Sequence, residues 1–296
     1  MPIMNFSVAV LQSGALNPQG PVAASQRLIL FNATAIMLAV IVPVIILTVV
    51  VAWWFRAGNQ RAKRQPDWTY SGPVEVFVWS VPLLVILFLG GIAWIGSHEL
   101  DPRRPLASAQ APLDIQVVSL DWKWLFIQPQ AGVASVNHLV VPVGRPLRFH
   151  LTSTTVMNSF LVPQLGSQIY TMAGMTTELN LQADRPGVYP GLSAQFSGDG
   201  FSDMRFEVEA VSPQDFEAWL AAASEGAVLD ADALRELERP GTTGRARYRV
   251  ALPDLFATLV RREGHGAMPG MAGMADASIC RSPVPPPIPS THASSR

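Results

Sequence analysis

Two long stretches of the chain are apolar and free of charge. Residues 28–55 hold no acidic or basic side chain, and residues 76–95 repeat the pattern. A helix that crosses a bilayer needs about 20 apolar residues, because lipid offers the backbone no hydrogen-bond partner. Both stretches predict a membrane-spanning helix. Pro43 inside the first is compatible with a span, and Trp53, Trp54 and Phe55 form an aromatic belt at its end. Trp79 and Trp94 lie near the two ends of the second, and Gly90-Gly91 offers a place for close helix packing.

Beyond residue 112 the period changes from helix to strand. Leu147, Phe149 and Leu151 alternate with Arg148, His150 and Thr152, and Met204, Phe206, Val208 and Ala210 alternate with Arg205, Glu207 and Glu209. Such alternation predicts strands with one buried and one wet face. Further short strands are predicted at 114–119, 122–127, 136–141, 156–162, 167–173 and 177–181, separated by turns such as Pro142-Val143-Gly144 and Arg185-Pro186-Gly187. Many short strands in about 100 residues predict a β-sandwich or barrel. Ser212-Pro213-Gln214-Asp215 then opens a helix, with Ser212 as its cap and Phe216, Trp219 and Leu220 as its apolar stripe. Shorter helices are expected at 230–238 and 253–262.

The chain divides accordingly. Residues 1–27 form an external N-terminal segment with a signal-like start, and 28–96 form a transmembrane hairpin with its loop at 56–73. A linker follows at 97–112, then an all-β domain at 113–211, a helical extension at 212–264 and a disordered tail at 265–296. Arg56, Arg61, Lys63 and Arg64 fill the hairpin loop, whereas only Arg27 precedes the first span. The positive-inside bias puts the loop in the cytoplasm and both termini and the β domain outside.

Composition narrows the chemistry. A net charge of -1 gives no global basic character for nucleic acid. The single cysteine, Cys280, allows neither an internal disulfide nor a cysteine-based metal site. In the tail, His265, Met268, Met271, Met274 and His292 offer soft thioethers and imidazoles that could capture cuprous ion, although a solvated tail is the simpler reading.

Four local runs carry a resemblance. Ser119-Leu120-Asp121-Trp122-Lys123-Trp124, Val156-Met157-Asn158-Ser159-Phe160, Pro163-Gln164-Leu165-Gly166-Ser167-Gln168-Ile169-Tyr170 and Met172-Ala173-Gly174-Met175 resemble subunit II of cytochrome bo-type ubiquinol oxidases. The resemblance runs from about residue 23 to 262. It implies a cupredoxin-like sandwich on two membrane helices in a bacterial inner membrane. It also implies oxidase subunits I, III and IV as partners, membrane lipid around the anchor, and ubiquinol as substrate of the complex.

The wider family includes subunit II of cytochrome c oxidase, whose sandwich holds a binuclear copper centre. Its ligands come from a His before Ser-Phe or Ser-Trp and from a Cys-x-Glu-x-Cys-x-x-x-His-x-x-Met run. At the matching positions this chain has Asn158, then Ser193, Gln195, Ser197, Phe201 and Met204. Copper pairs need soft thiolates and imidazoles, and serine hydroxyls are hard, neutral ligands. The resemblance therefore implies a domain without copper, with haem and copper confined to subunit I and no cofactor or catalytic group in this chain. The complex would reduce oxygen to water and pump protons, with this chain as scaffold and assembly subunit.

Other residues are weighed against plainer roles. Glu75 opens the second span; the resemblance implies a role at the mouth of a proton pathway, whereas dipole and solvent alone favour a carboxylate there. Trp122 and Trp124 are expected to pack against subunit I. Met157, Met172 and Met175 read as core filler, and His138 and His150 as rim residues. Two other functions stand beside the leading one: a membrane-anchored copper or electron-carrier cupredoxin, and a cytochrome c oxidase subunit with a degenerate site.

Overall fold

The computed structural model describes residues 14, 16–63 and 65–265. The signal-like start, Arg64 and the methionine-rich tail fall outside these residues, apart from Gly14 and the last helical residue, His265.

Helix α1 spans Pro21–Trp54 and α2 spans Gly72–Glu99. Both are long and apolar enough to cross a membrane. Their apolar side chains point outward on all sides, with Leu47, Phe77 and Ile86 all more than 60% exposed. A surface of that kind is stable only in lipid or against another apolar helix. Gly90 and Gly91 face open space, and α1 and α2 instead approach at Gly96, where an added Cβ would lie 2.8 Å from Ile29.

Among the described residues, twelve strands build two facing sheets. β1 is Leu113–Leu120, β2 Lys123–Gln128, β3 Val133–Val136, β4 His138–Pro142, β5 Leu147–Ser153 and β6 Asn158–Leu161. They are followed by β7 Gln168–Thr171, β8 Thr177–Leu181, β9 Gly187–Ser193, β10 Arg205–Val211, β11 Ala227–Leu229 and β12 Ala246–Val250. One sheet has the order β11-β12-β3-β2-β1-β5-β8 and the other β4-β10-β9-β6-β7. Helices α3 (Pro213–Ser224), α4 (Ala231–Glu238) and α5 (Leu255–His265) follow β10. This is the expected hairpin and cupredoxin-like sandwich.

Between the sheets Trp124, Phe126, Phe149, Phe160 and Phe206 form an aromatic core, with Phe160 stacked on Phe206 at 4.9 Å. Alternation continues on the other face of the larger sheet. There Val118, Leu120, Leu125, Ile127 and Val136 pack against Leu234 and Leu237 of α4 and Leu255, Phe256 and Leu259 of α5. With both faces covered, every residue of β2 is buried. Lys123 is among them, 3% exposed, and its Nζ donates to Leu237 O at 2.9 Å and Arg239 O at 2.7 Å. Burial lowers its pKa, and the two carbonyls, one in the last turn of α4 and one at its C-cap, satisfy the ammonium.

Several expectations need correction. The run 136–141, read as one strand, is broken at Asn137, whose φ of 56° sends the chain from one sheet to the other. Asparagine tolerates that left-handed conformation better than the valines around it. β9 was not anticipated. Nor is the segment 212–264 purely helical: β11 and β12 extend the larger sheet through β3, so the sandwich does not end at 211. Ser212 does cap α3, accepting from Asp215 N.

The first helix starts about two turns before its apolar run, and that extra length docks on the sandwich. Gln19 N donates to Gln164 O at 2.8 Å, Ala23 N to Leu165 O at 3.2 Å, and Asp184 N to Gln19 O at 2.8 Å. Gly20 is required there, since a Cβ would come within 2.1 Å of Gln182 O. After α2, Asn180 binds Pro102 O through its backbone N and side-chain amide. The sandwich is thus fastened to both ends of the hairpin that lie away from its loop.

Candidate functional site

The six positions matched to copper ligands are carried by three segments. Asn158 opens β6, Ser193 closes β9, and Met204 precedes β10. β6 and β9 pair antiparallel, with Phe160 opposite Ser193, and this register draws the two strand ends together. The remaining positions lie on the loop 194–203, which ends in a single 3₁₀ turn, Phe201–Asp203.

These groups satisfy one another. Ser193 Oγ lies 3.2 Å from both Asn158 Oδ1 and Gln195 O, and it accepts from Ser159 N at 3.5 Å. Asn158 Nδ2 donates to Val156 O at 3.2 Å. Ser193 N donates to Met204 O at 3.1 Å, and Ser197 Oγ sits 4.0 Å from Met204 Sδ. Asn158, Ser193 and Met204 are each no more than 2% exposed. Phe201 lies at the rim, edge-on to exposed Phe196 with centroids 5.7 Å apart. The structure therefore gathers Asn158, Ser193, Ser197 and Met204, takes Gln195 in through its carbonyl, and leaves Phe201 outside. Chemically the cluster offers two neutral hydroxyls, an amide and a thioether, with no thiolate and no imidazole. That donor set does not suit a copper pair.

Trp122 organises the loop, a role its sequence position did not suggest. Its φ is 63°, a left-handed conformation costly for a bulky residue. The strain aims its indole at the loop, where Nε1 donates to Ser197 O at 3.1 Å. The ring lies on Gly200, where a Cβ would be 2.4 Å from it. Trp124, expected against subunit I, is fully enclosed between the two sheets of its own domain, 5.4 Å from both Phe160 and Phe206. Ser159 Oγ is buried and has no hydrogen-bond partner among the described residues.

Glu75 lies apart from this cluster. It is exposed in the first turn of α2, at the far end of the hairpin from the sandwich, and its N donates to Ser71 O at 3.0 Å. His138 is bonded to Glu209 at 3.0 Å, and His150 lies 3.7 Å from Asp114. Met157 and Met175 are exposed, not core filler.

A two-helix anchor carrying a sandwich of this topology defines a class, the membrane-anchored subunit II type of respiratory oxidase. Residues 126–211 match the family described as cytochrome c oxidase subunit II, periplasmic domain. The chain is 46% identical to cytochrome bo(3) ubiquinol oxidase subunit 2 of Pseudomonas aeruginosa, over 91% of this chain and 83% of that protein. It is 43% identical to ubiquinol oxidase subunit 2 of Acetobacter aceti, over 88% and 87%. It is 37% identical to quinol oxidase subunit 2 of Bacillus anthracis, over 79% and 81%. The chain belongs to the family of quinol oxidase subunit 2.

Proposed function

We propose that this chain is the copper-free scaffold subunit of a haem–copper quinol oxidase that reduces oxygen to water and moves protons outward. The observation that carries this reading is the self-satisfied cluster of Asn158, Ser193, Ser197 and Met204. Its hydroxyls and amide are tied into the strand ends, and its one soft donor is a thioether. Electrons would pass from membrane quinol to haem in subunit I without crossing this domain. Haem and copper belong to subunit I in this reading, and subunits III and IV complete the complex.

The same reading places both chain termini and the sandwich on the periplasmic side of the inner membrane. The cations Arg56, Arg61 and Lys63 in the loop between α1 and α2 support that orientation. Glu75, exposed at the cytoplasmic start of α2, would assist proton entry. If so, Glu75→Ala lowers turnover of the assembled complex while leaving its content of subunits unchanged. Unchanged turnover removes this role.

The deciding measurement is oxygen uptake by the purified complex with ubiquinol and with reduced cytochrome c as separate donors. It is paired with metal analysis of the subunit separated from subunit I. Turnover on quinol alone, with no copper in this subunit, is the expected result. Copper bound here would favour the copper or electron-carrier reading, and turnover on cytochrome c would favour a cytochrome c oxidase subunit.

A further inference from the structure

A cavity of about 230 Å³ lies where the hairpin meets the sandwich. The chain leaving α2 lines it, together with Val22 of α1 and Ser167 and Asn180 of the sandwich. Its depth relative to the membrane follows from helix geometry. Val22 precedes the apolar run at Leu28 by about 9 Å of helix, and Glu99 follows its end at Ile95 by about 6 Å. The headgroup layer on each side of the hydrocarbon is about 5–7 Å thick. The cavity therefore reaches from the outer part of the headgroup layer, at Glu99, to just beyond it, at Val22.

Three charged side chains line it: Glu99, Asp101 and Arg104. Among the described residues, the Glu99 carboxylate and the Arg104 guanidinium engage no other side chain. Asp101 Oδ1 accepts from Arg103 N at 2.9 Å, which leaves its second oxygen free. A purely anionic headgroup would meet two carboxylates and one guanidinium, an unfavourable balance. A quaternary ammonium favours aromatic faces, and no Trp, Tyr or Phe lines this cavity. A primary ammonium, by contrast, donates hydrogen bonds to carboxylates, while a phosphate suits the guanidinium fork.

We propose that this cavity is a phosphatidylethanolamine headgroup site, with Arg104 on the phosphate and Glu99 and Asp101 on the ammonium. The bound lipid fills the junction between anchor and sandwich.

The test is native mass spectrometry of the whole oxidase complex, delipidated in detergent and titrated with phosphatidylethanolamine, phosphatidylcholine and phosphatidylglycerol of one acyl composition. The wild-type complex is expected to hold one phosphatidylethanolamine more tightly than either other lipid. The double variant Glu99→Gln/Arg104→Gln should weaken that adduct at least tenfold. Ala107→Trp, which fills the cavity without changing charge, should do the same, and it decides the matter alone if the double variant fails to assemble. Equal binding of phosphatidylglycerol or phosphatidylcholine by the wild type overturns the proposal. So does undiminished phosphatidylethanolamine binding by assembled complexes carrying these substitutions.

Discussion

The hairpin and the sandwich use apolar residues in opposite ways. In α1 and α2 almost every large apolar side chain is exposed, and only Val22, Ala23 and Gly96 are buried. In the sandwich the same residue types are enclosed on both faces of the larger sheet. The hairpin's stability therefore belongs to its surroundings, whereas the sandwich carries its own. Membrane extraction and core mutation should separate the two regions.

The largest effect is expected from the core. Trp124→Ala removes the side chain at the centre of the aromatic cluster and should destabilise the sandwich by about 3–5 kcal/mol. Limited proteolysis in the membrane should then digest 113–262 while the hairpin persists; coupled loss of both would break the contrast. Next comes the joint between the regions. Gly20→Ala forces a Cβ toward Gln182 O and should cost about 1–3 kcal/mol. Hydrogen exchange should rise at Ala23 and Asp184 and stay unchanged in β1 and β5.

Smaller effects sharpen the picture within the sandwich. Trp122→Phe keeps the ring over Gly200 but removes the hydrogen bond to Ser197 O, a loss of about 1 kcal/mol. Faster exchange confined to 195–203 is the expected signature. The smallest concerns Asp114, whose carboxyl is held below the usual carboxylate range by its 2.6 Å bond to Arg148, against some opposing desolvation. A carboxylate with a lowered folded pKa stabilises fully above its unfolded value of about 3.9 and loses that contribution as pH falls through the folded value. Both partners are partly exposed, so Asp114→Asn should cost less than about 1 kcal/mol near neutral pH and nothing at strongly acid pH. Paired thermal melts at the two pH values check this.

The parts legible in the sequence are those written in a single period. Uninterrupted apolar runs marked both helices, and alternation marked β5 and β10; burial alternates throughout β10 but in β5 only as far as Leu151, since Thr152, expected on the wet face, is buried with Ser153. What escaped depends on backbone conformation or distant partners. Asn137 splits an apolar run that looks continuous, because one left-handed residue redirects the chain. β9 contains Gly187, Pro190 and Gly191, which read as turn residues until β10, paired beside all three, holds them extended. β11 is only three residues long and exists because β12 lies beside it. At the site, ordered motif matching identified the positions on β6, on β9 and in the following loop. The Trp122 contact with the loop stayed hidden, since it depends on a φ value and on a partner 75 positions away in sequence.

The docking of the start of α1 also bears on the order of biogenesis. Gln26 binds Ser167 across 141 residues of chain, and Gln19 is held between Gln164 and Asp184. Residues near the N-terminus emerge from the ribosome first, yet their partners are made after the hairpin and most of the sandwich. Contacts of such sequence separation form late, because the intervening chain must be ordered first. A segment made well before its partners is thus among the last to settle, and its seating on the sandwich marks a finished fold.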